Sequence, residues 1–200
     1  MKIDLTSDFP VTEEACQSAT GRTITGWIEA LEAQGDACRT RRDATNWLAG
    51  EMGKEYWWAT TVWVEMERRK GIVKKDGRAE GYNICSTKTI NAPVSRVYAA
   101  FAGPGGLAWF GGTAEQDHSL TSSEGHSGQA VRVRQDKDLR YAWQTKGSDH
   151  PTEVDVMFAE KGGKTGITLN HNRIQTREEA DGLRRAWGEA LARLKSELEG

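Results

Sequence analysis

Apolar residues recur at helical spacing in the first third of the chain and at every second position through most of the rest. A weak amphipathic segment runs from about Thr12 to Thr20 and ends at Gly21. The next starts near Thr25, carries Trp27, Ile28 and Leu31 on one side, and closes at Gly35. A third starts at Thr40, where Thr40-Arg41-Arg42-Asp43 resembles a capping box with Asp in place of Glu. Trp47, Leu48 and Met52 follow at helical spacing, and Gly53 stops it. The last runs from about Lys54 to Lys70, and its basic end suits the negative pole of a helix dipole. Residues 72–81 mix glycine with charges of both signs and show no apolar period, so they read as a linker. The pattern predicts a small all-helical domain over 11–71 and a second domain over 82–200.

After residue 81 the period becomes two. Tyr82, Ile84, Ser86, Lys88 and Ile90 alternate with polar neighbours, as in a strand. Pro93 opens a short helix with Val94, Val97, Tyr98 and Phe101 on its apolar face. Gly103-Pro104-Gly105-Gly106 breaks it, and Leu107, Trp109 and Phe110 follow. Four alternating runs come next: Val131 and Val133; Leu139, Tyr141 and Trp143; Val154, Val156 and Phe158; Ile167, Leu169 and His171. Turns at Asp136-Lys137-Asp138 and Gly162-Gly163-Lys164 join neighbouring runs. Between Thr113 and Gly128 the pattern gives one strand near Ala114–Leu120 and a loop over 121–128. Thr176-Arg177-Glu178-Glu179 is a full capping box. Ala180, Leu183, Ala186, Trp187, Ala190, Leu191, Leu194 and Leu198 then form one apolar stripe. The expected class is α+β: a curved antiparallel sheet, covered on one side, wrapped on a long C-terminal helix. A cavity between sheet and helix follows from that curvature, with its mouth near the short helices.

Four segments carry a family resemblance: residues 90–98 at the strand-to-helix entry, 105–111 in the second short helix, 167–171 in the last strand and 187–194 in the final helix. Together they resemble the helix-grip superfamily (START-like, Bet v 1-like, SRPBCC), within it the bacterial branch related to the C-terminal domain of the activator of Hsp90 ATPase. The resemblance implies the fold but no single function, because this fold hosts binders, cyclases and chaperone cofactors. Gly26-Trp27, Trp47-Leu48, the Tyr56–Ala59 stretch and Glu67-Arg68 resemble a small helical domain of unknown function that precedes this fold in bacterial proteins. Hsp90 activators carry a different, larger N-terminal domain.

Composition narrows the chemistry. Lys and Arg number 27 against 29 Asp and Glu, close to balance on either side of residue 75, which disfavours nucleic acid as a partner. No apolar run reaches membrane-spanning length, and the first residues lack a signal-peptide core, so a cytoplasmic chain is expected. Three widely spaced cysteines, Cys16, Cys38 and Cys85, read as free thiols. His118, His126, His150 and His171 match no metal spacing, and no cofactor, metal or nucleophile motif is legible. The first three histidines fall among charged and small residues and are expected in solvent. His171 continues an inward alternation.

Trp109, Tyr141, Trp143, Phe158, His171 and Trp187 are therefore the candidates to line the cavity, as core residues or as contacts to a small hydrophobic or aromatic ligand. Arg132, Arg134 and Arg140 alternate out of phase with them and belong to the exposed face. Eight tryptophans are many for this length, and Trp57, Trp58 and Trp63 spread over more than one face of one helix. Such a helix wants burial on two sides, against its own domain and against the second domain, a protein partner or a second copy. Three readings follow. The leading one is ligand binding. The second is a protein-interaction or co-chaperone module. The third is a cyclase- or hydrolase-like enzyme, which needs a polar pair such as His171 with Tyr141.

Overall fold

In the computed structural model, residues 1–103, 110–115 and 117–200 are described. Four helices open the chain: α1 (Glu13–Thr20), α2 (Ile24–Glu32), α3 (Arg41–Glu51) and α4 (Tyr56–Arg69), with a 3-10 turn at Gly35–Cys38. Threonine caps the first three. The Thr12, Thr23 and Thr40 hydroxyls accept the N–H groups of Ala15, Gly26 and Asp43 at 3.0–3.2 Å. The second helix starts at Ile24 because Thr23, not Thr25, is its cap. Thr25 instead donates its N–H and hydroxyl to the Glu13 carboxylate, which also meets Arg69. Those bonds, the Thr25 hydroxyl first, hold the Glu13 carboxyl down to about 2. In α4, Trp58, Val62, Trp63, Val64 and Met66 are buried, so apolar side chains on more than one face of the helix are covered, while Tyr56 at its start is exposed. Of its three tryptophans only Trp57 keeps surface, and it packs edge-on against Phe9 at 5.3 Å and Trp58 at 4.7 Å.

Ser7–Tyr82 form one compact unit, and Asn83–Gly200 form a second together with Met1–Thr6. The second unit holds β1 (Tyr82–Ile90, shared at its first residue), α5 (Val94–Ala102), β2 (Gly112–Ala114), β3 (Leu120–Ser122), β4 (Ser127–Arg134), β5 (Asp138–Gln144), β6 (Thr152–Lys161), β7 (Lys164–Ile174) and α6 (Arg177–Glu199). The strands lie in the order β1-β7-β6-β5-β4-β3-β2, and each consecutive pair from β2 to β7 is antiparallel. A curled sheet with a 23-residue helix against it is the helix-grip arrangement. The β6–β7 turn uses Gly162 and Gly163, both at positive φ as a two-residue hairpin requires.

Alternation places Leu139, Tyr141 and Trp143, then Val154, Val156 and Phe158, then Ile167, Leu169 and His171 in the core. The stripe of α6 is buried from Ala180 to Leu194, with Leu198 half-buried. Two expectations are corrected. Instead of one strand near Ala114–Leu120, β2 and β3 pair as a short hairpin, with Ala114 opposite Leu120. In β4 the step from Ala130 to Arg132 spans a single step on β5, so Val131 is the extra residue of a bulge and is 58% exposed. Ala130 faces Tyr141 and Val133 faces Leu139; Val131 and Val133 do not share a face. The bulge leaves Arg132 and Arg134 outside. There Arg132 and Arg134 donate to Asp138, and Arg140 donates to Asp155 at 2.7 and 2.9 Å. The Arg134 and Arg132 bonds hold the Asp138 carboxyl below the usual range.

The bulge makes a stability prediction. Val131→Ser should change unfolding free energy by no more than about 0.5 kcal/mol. Leu139→Ala, in the core one strand away, should cost about 2–5 kcal/mol. A urea titration in which the two cost alike would contradict the bulge.

Candidate site between sheet and C-terminal helix

The interior has two ends with different polarity. At the first, Trp143 of β5, His171 of β7 and Trp187 of α6 meet as a triangle of rings, with centroids 5.4–6.4 Å apart. Phe110 stacks on Trp187 at 5.4 Å and meets Trp143 edge-on at 5.8 Å. His171 is fully buried, and both its nitrogens are used. The Trp187 indole N–H donates to Nδ1 at 3.0 Å. Nδ1 is therefore the acceptor, and Nε2 carries the ring proton and donates to the Thr152 hydroxyl at 2.7 Å. That hydroxyl points on to the Trp143 carbonyl at 3.4 Å. Burial pushes the His171 imidazolium down to about 3, so the ring is neutral at physiological pH. With its lone pair facing an indole N–H, the ring has no site left to take a proton. Tyr141 is not its partner.

The other polar atoms here are tied back only in part: His126 Nε2 and Glu179 Oε1 are buried and have no hydrogen-bond partner among the described residues. Trp143 Nε1 donates to the buried Thr145 hydroxyl at 3.0 Å. His126, expected in solvent, is buried and lies parallel to Trp143 at 6.3 Å. A tight turn brings it in: its N–H donates to the Ser122 hydroxyl, and the Ser122 N–H donates to its carbonyl. His126 Nδ1 accepts the Lys146 N–H at 3.0 Å, and burial lowers the ring's basicity. Glu179 is buried beneath the same loop, where Ser148 donates to its carboxylate at 3.0 Å. Burial raises its carboxyl. His118 is half-buried against the Ala102 carbonyl at 3.0 Å, whereas His150 is exposed.

The second end lies under α5. Phe158 of β6 packs edge-on against Tyr98 at 5.4 Å and Phe101 at 5.6 Å. The Tyr98 hydroxyl is buried and has no hydrogen-bond partner among the described residues. Tyr141, in the middle of β5, is buried close enough to feel Tyr98 electrostatically. Burial raises both phenols, Tyr98 further through Asp136 and Asp138, so both are neutral donors at physiological pH.

The six residues picked from the sequence thus divide. Trp143, His171 and Trp187 meet at the first end, Phe158 sits at the second, and Tyr141 lies on the strand between. Trp109 falls outside the described residues. Sequence reasoning missed Thr152, Thr145, Phe110 and Tyr98 as site residues. Thr152 had a signal, since it shares the parity of Val154, Val156 and Phe158. Among the described residues no group of His, Cys, Asp and Glu could hold a metal ion. No described helix is long and apolar enough to cross a membrane.

Residues 91–199 match the family model described as "Activator of Hsp90 ATPase homolog 1-like protein". No curated protein matches the chain. Among solved structures, the crystal structure of CalU16 from Micromonospora echinospora aligns with a TM-score of 0.53 at 21% identity, over 59% of this chain and 74% of its own. An HSP90 activator from Plasmodium falciparum gives 0.53 at 18% identity, over 60% of this chain and 97% of its own. The Aha1 dimer from Colwellia psychrerythraea gives 0.51 at 18% identity, over 59% and 96%. At these identities the likeness is one of fold.

The His171 geometry predicts a pH response. Unfolded histidine takes up a proton near pH 6.5, while native His171 stays neutral down to about 3. Its contribution to stability is complete above pH 6.5. As pH falls below that value it is lost, at about 1.4 kcal/mol per pH unit, until the native ring also titrates. Ring-nitrogen NMR should show the His171 ring fixed in the Nε2–H form down to at least pH 5. Titration of that ring near 6.5 would contradict the arrangement.

Proposed function

The chain belongs to the activator of Hsp90 ATPase homolog 1-like family, and from that premise we propose that its second unit binds a small, uncharged hydrophobic or aromatic ligand between sheet and C-terminal helix. The ligand sits at the Tyr98 end. The observation that carries this reading is the buried Tyr98 hydroxyl, which has no partner among the described residues. Leaving such a group unpaired costs about 1–3 kcal/mol, which an acceptor on a ligand would offset. Phe101, Phe158 and the Tyr141 ring supply apolar walls, as a small-molecule site requires. Asp136 and Asp138 act on Tyr98 and disfavour an anion. The Trp143–His171–Trp187 end serves as the rigid wall, since its ring nitrogens already have protein partners.

A second reading, a protein-interaction or co-chaperone role, is favoured by one observation in the first unit. Phe9, packed on half-buried Trp57, is 52% exposed, and Tyr56, which precedes Trp57 in the chain, is 58% exposed. Together they make an aromatic surface suited to a protein partner or a second copy of the chain. The family's description and the neighbouring HSP90 activator and Aha1 dimer point the same way. The enzyme reading loses its polar pair, because His171 is held by Thr152 and Trp187.

Native mass spectrometry on protein purified gently from its host should show an added small mass that is lost on denaturation. Tyr98→Phe should weaken retention about tenfold, equal to about 1.4 kcal/mol, with the fold intact. A bare protein mass together with stimulation of an Hsp90 ATPase would overturn this reading in favour of the second.

A further inference from the structure

The first six residues belong with the second unit, although a whole helical unit separates them from it in sequence. Several independent features hold them there. Met1 is buried, and its backbone nitrogen donates to the Phe110 carbonyl. Gly111, at φ +70°, leaves the space that Met1 fills: a Cβ there would lie 3.1 Å from the Met1 nitrogen. Leu5 reaches Gly147 in the β5–β6 loop. Arg185 of α6 donates to the Thr6 carbonyl at 2.7 Å, to its hydroxyl at 3.0 Å and to the Asp4 carbonyl at 3.4 Å.

The decisive position is Gly182. It lies inside α6, where glycine weakens a helix by about 1 kcal/mol relative to alanine. A Cβ at Gly182 would collide with the Asp4 carbonyl and touch Ile3. Gly188, two turns later on the same helix, has open space around its own Cβ position. The Asp4 carbonyl thus occupies the room a side chain would need at Gly182. This also explains why Gly182 is buried although it lies off the apolar stripe.

We propose that residues 1–6 are a latch and that the surface they cover, from Gly182 and Arg185 of α6 to Phe110 and Gly111, is a docking site for an extended peptide filled by the chain itself. The latch fixes the backbone of Phe110, whose ring fills the space against Trp143 and Trp187. Its release frees Phe110 and uncovers the first end of the interior.

Hydrogen exchange on the full chain tests this with a matched pair of substitutions. Gly182→Ala should raise exchange at least tenfold for amides in residues 2–6 and equally at residues 110–112, while Gly188→Ala leaves both segments as they were. Arg185→Ala removes the Arg185 hydrogen bonds to Asp4 and Thr6 and should give the same pattern, so a Gly182→Ala chain that failed to fold would not end the test. Equal protection in all three variants would overturn docking. Faster exchange in residues 2–6 with residues 110–112 unchanged would overturn the latch.

Discussion

A histidine in a dry core is stable only when it is neutral and both its nitrogens are satisfied, and the second unit is organised around meeting that condition. The ring comes from the last strand, its acceptor nitrogen is met by an indole on the C-terminal helix, and its N–H is met by a threonine on the adjacent strand. Each donor has one acceptor, so the bonds fix the rotation of α6 and its level along the sheet, which apolar contact alone leaves loose. Trp143 and Phe110 then pack against the fixed rings. Replacing any one member strands a buried polar atom, which costs more than the bond itself contributes.

That closed end gives the open question at the other end its shape. Tyr98 carries the same kind of group, a buried hydroxyl, without a matching partner among the described residues. One interior therefore holds a histidine whose two nitrogens are both met and a phenol whose hydroxyl is not, joined by the inward face of β5. A scaffold fixed at one end can present a pre-organised wall to a ligand at the other, which lowers the entropy cost of binding. The exposed aromatic residues of the helical unit lie outside this logic.

Much of this was legible in the pattern of residues. Strict alternation in β5, β6 and β7 marks the core, because a period of two leaves each side chain a single face. The capping box at Thr176 and the stripe to Leu194 mark α6. Threonines mark the starts of α1 and α3, whereas α2 is capped by Thr23 and not begun at Thr25. What escaped depended on contacts remote in sequence or on local breaks of period. The bulge at Val131 inverts the apparent phase of β4, and apolar identity pointed to the wrong side. His126 is carried inward by a tight turn whose hydrogen bonds use backbone and Ser122, so its polar neighbours in sequence say nothing of its burial. Residues 1–6 have no period at all, and their place is recorded only as a missing side chain at Gly182. The site was legible as a list of inward rings, but not as two ends, because pairing Trp187 with His171 requires the helix level that the fold supplies.

The most direct measurement of the central claim is a double-mutant cycle between Trp187→Phe and Thr152→Val, read as unfolding free energy at pH 7. The two side chains act on opposite nitrogens of one ring, so the single costs should not add, and the cycle should return a coupling of about 0.5–3 kcal/mol. A coupling of zero would mean that His171 does not join helix to sheet, and would contradict this account of the fold.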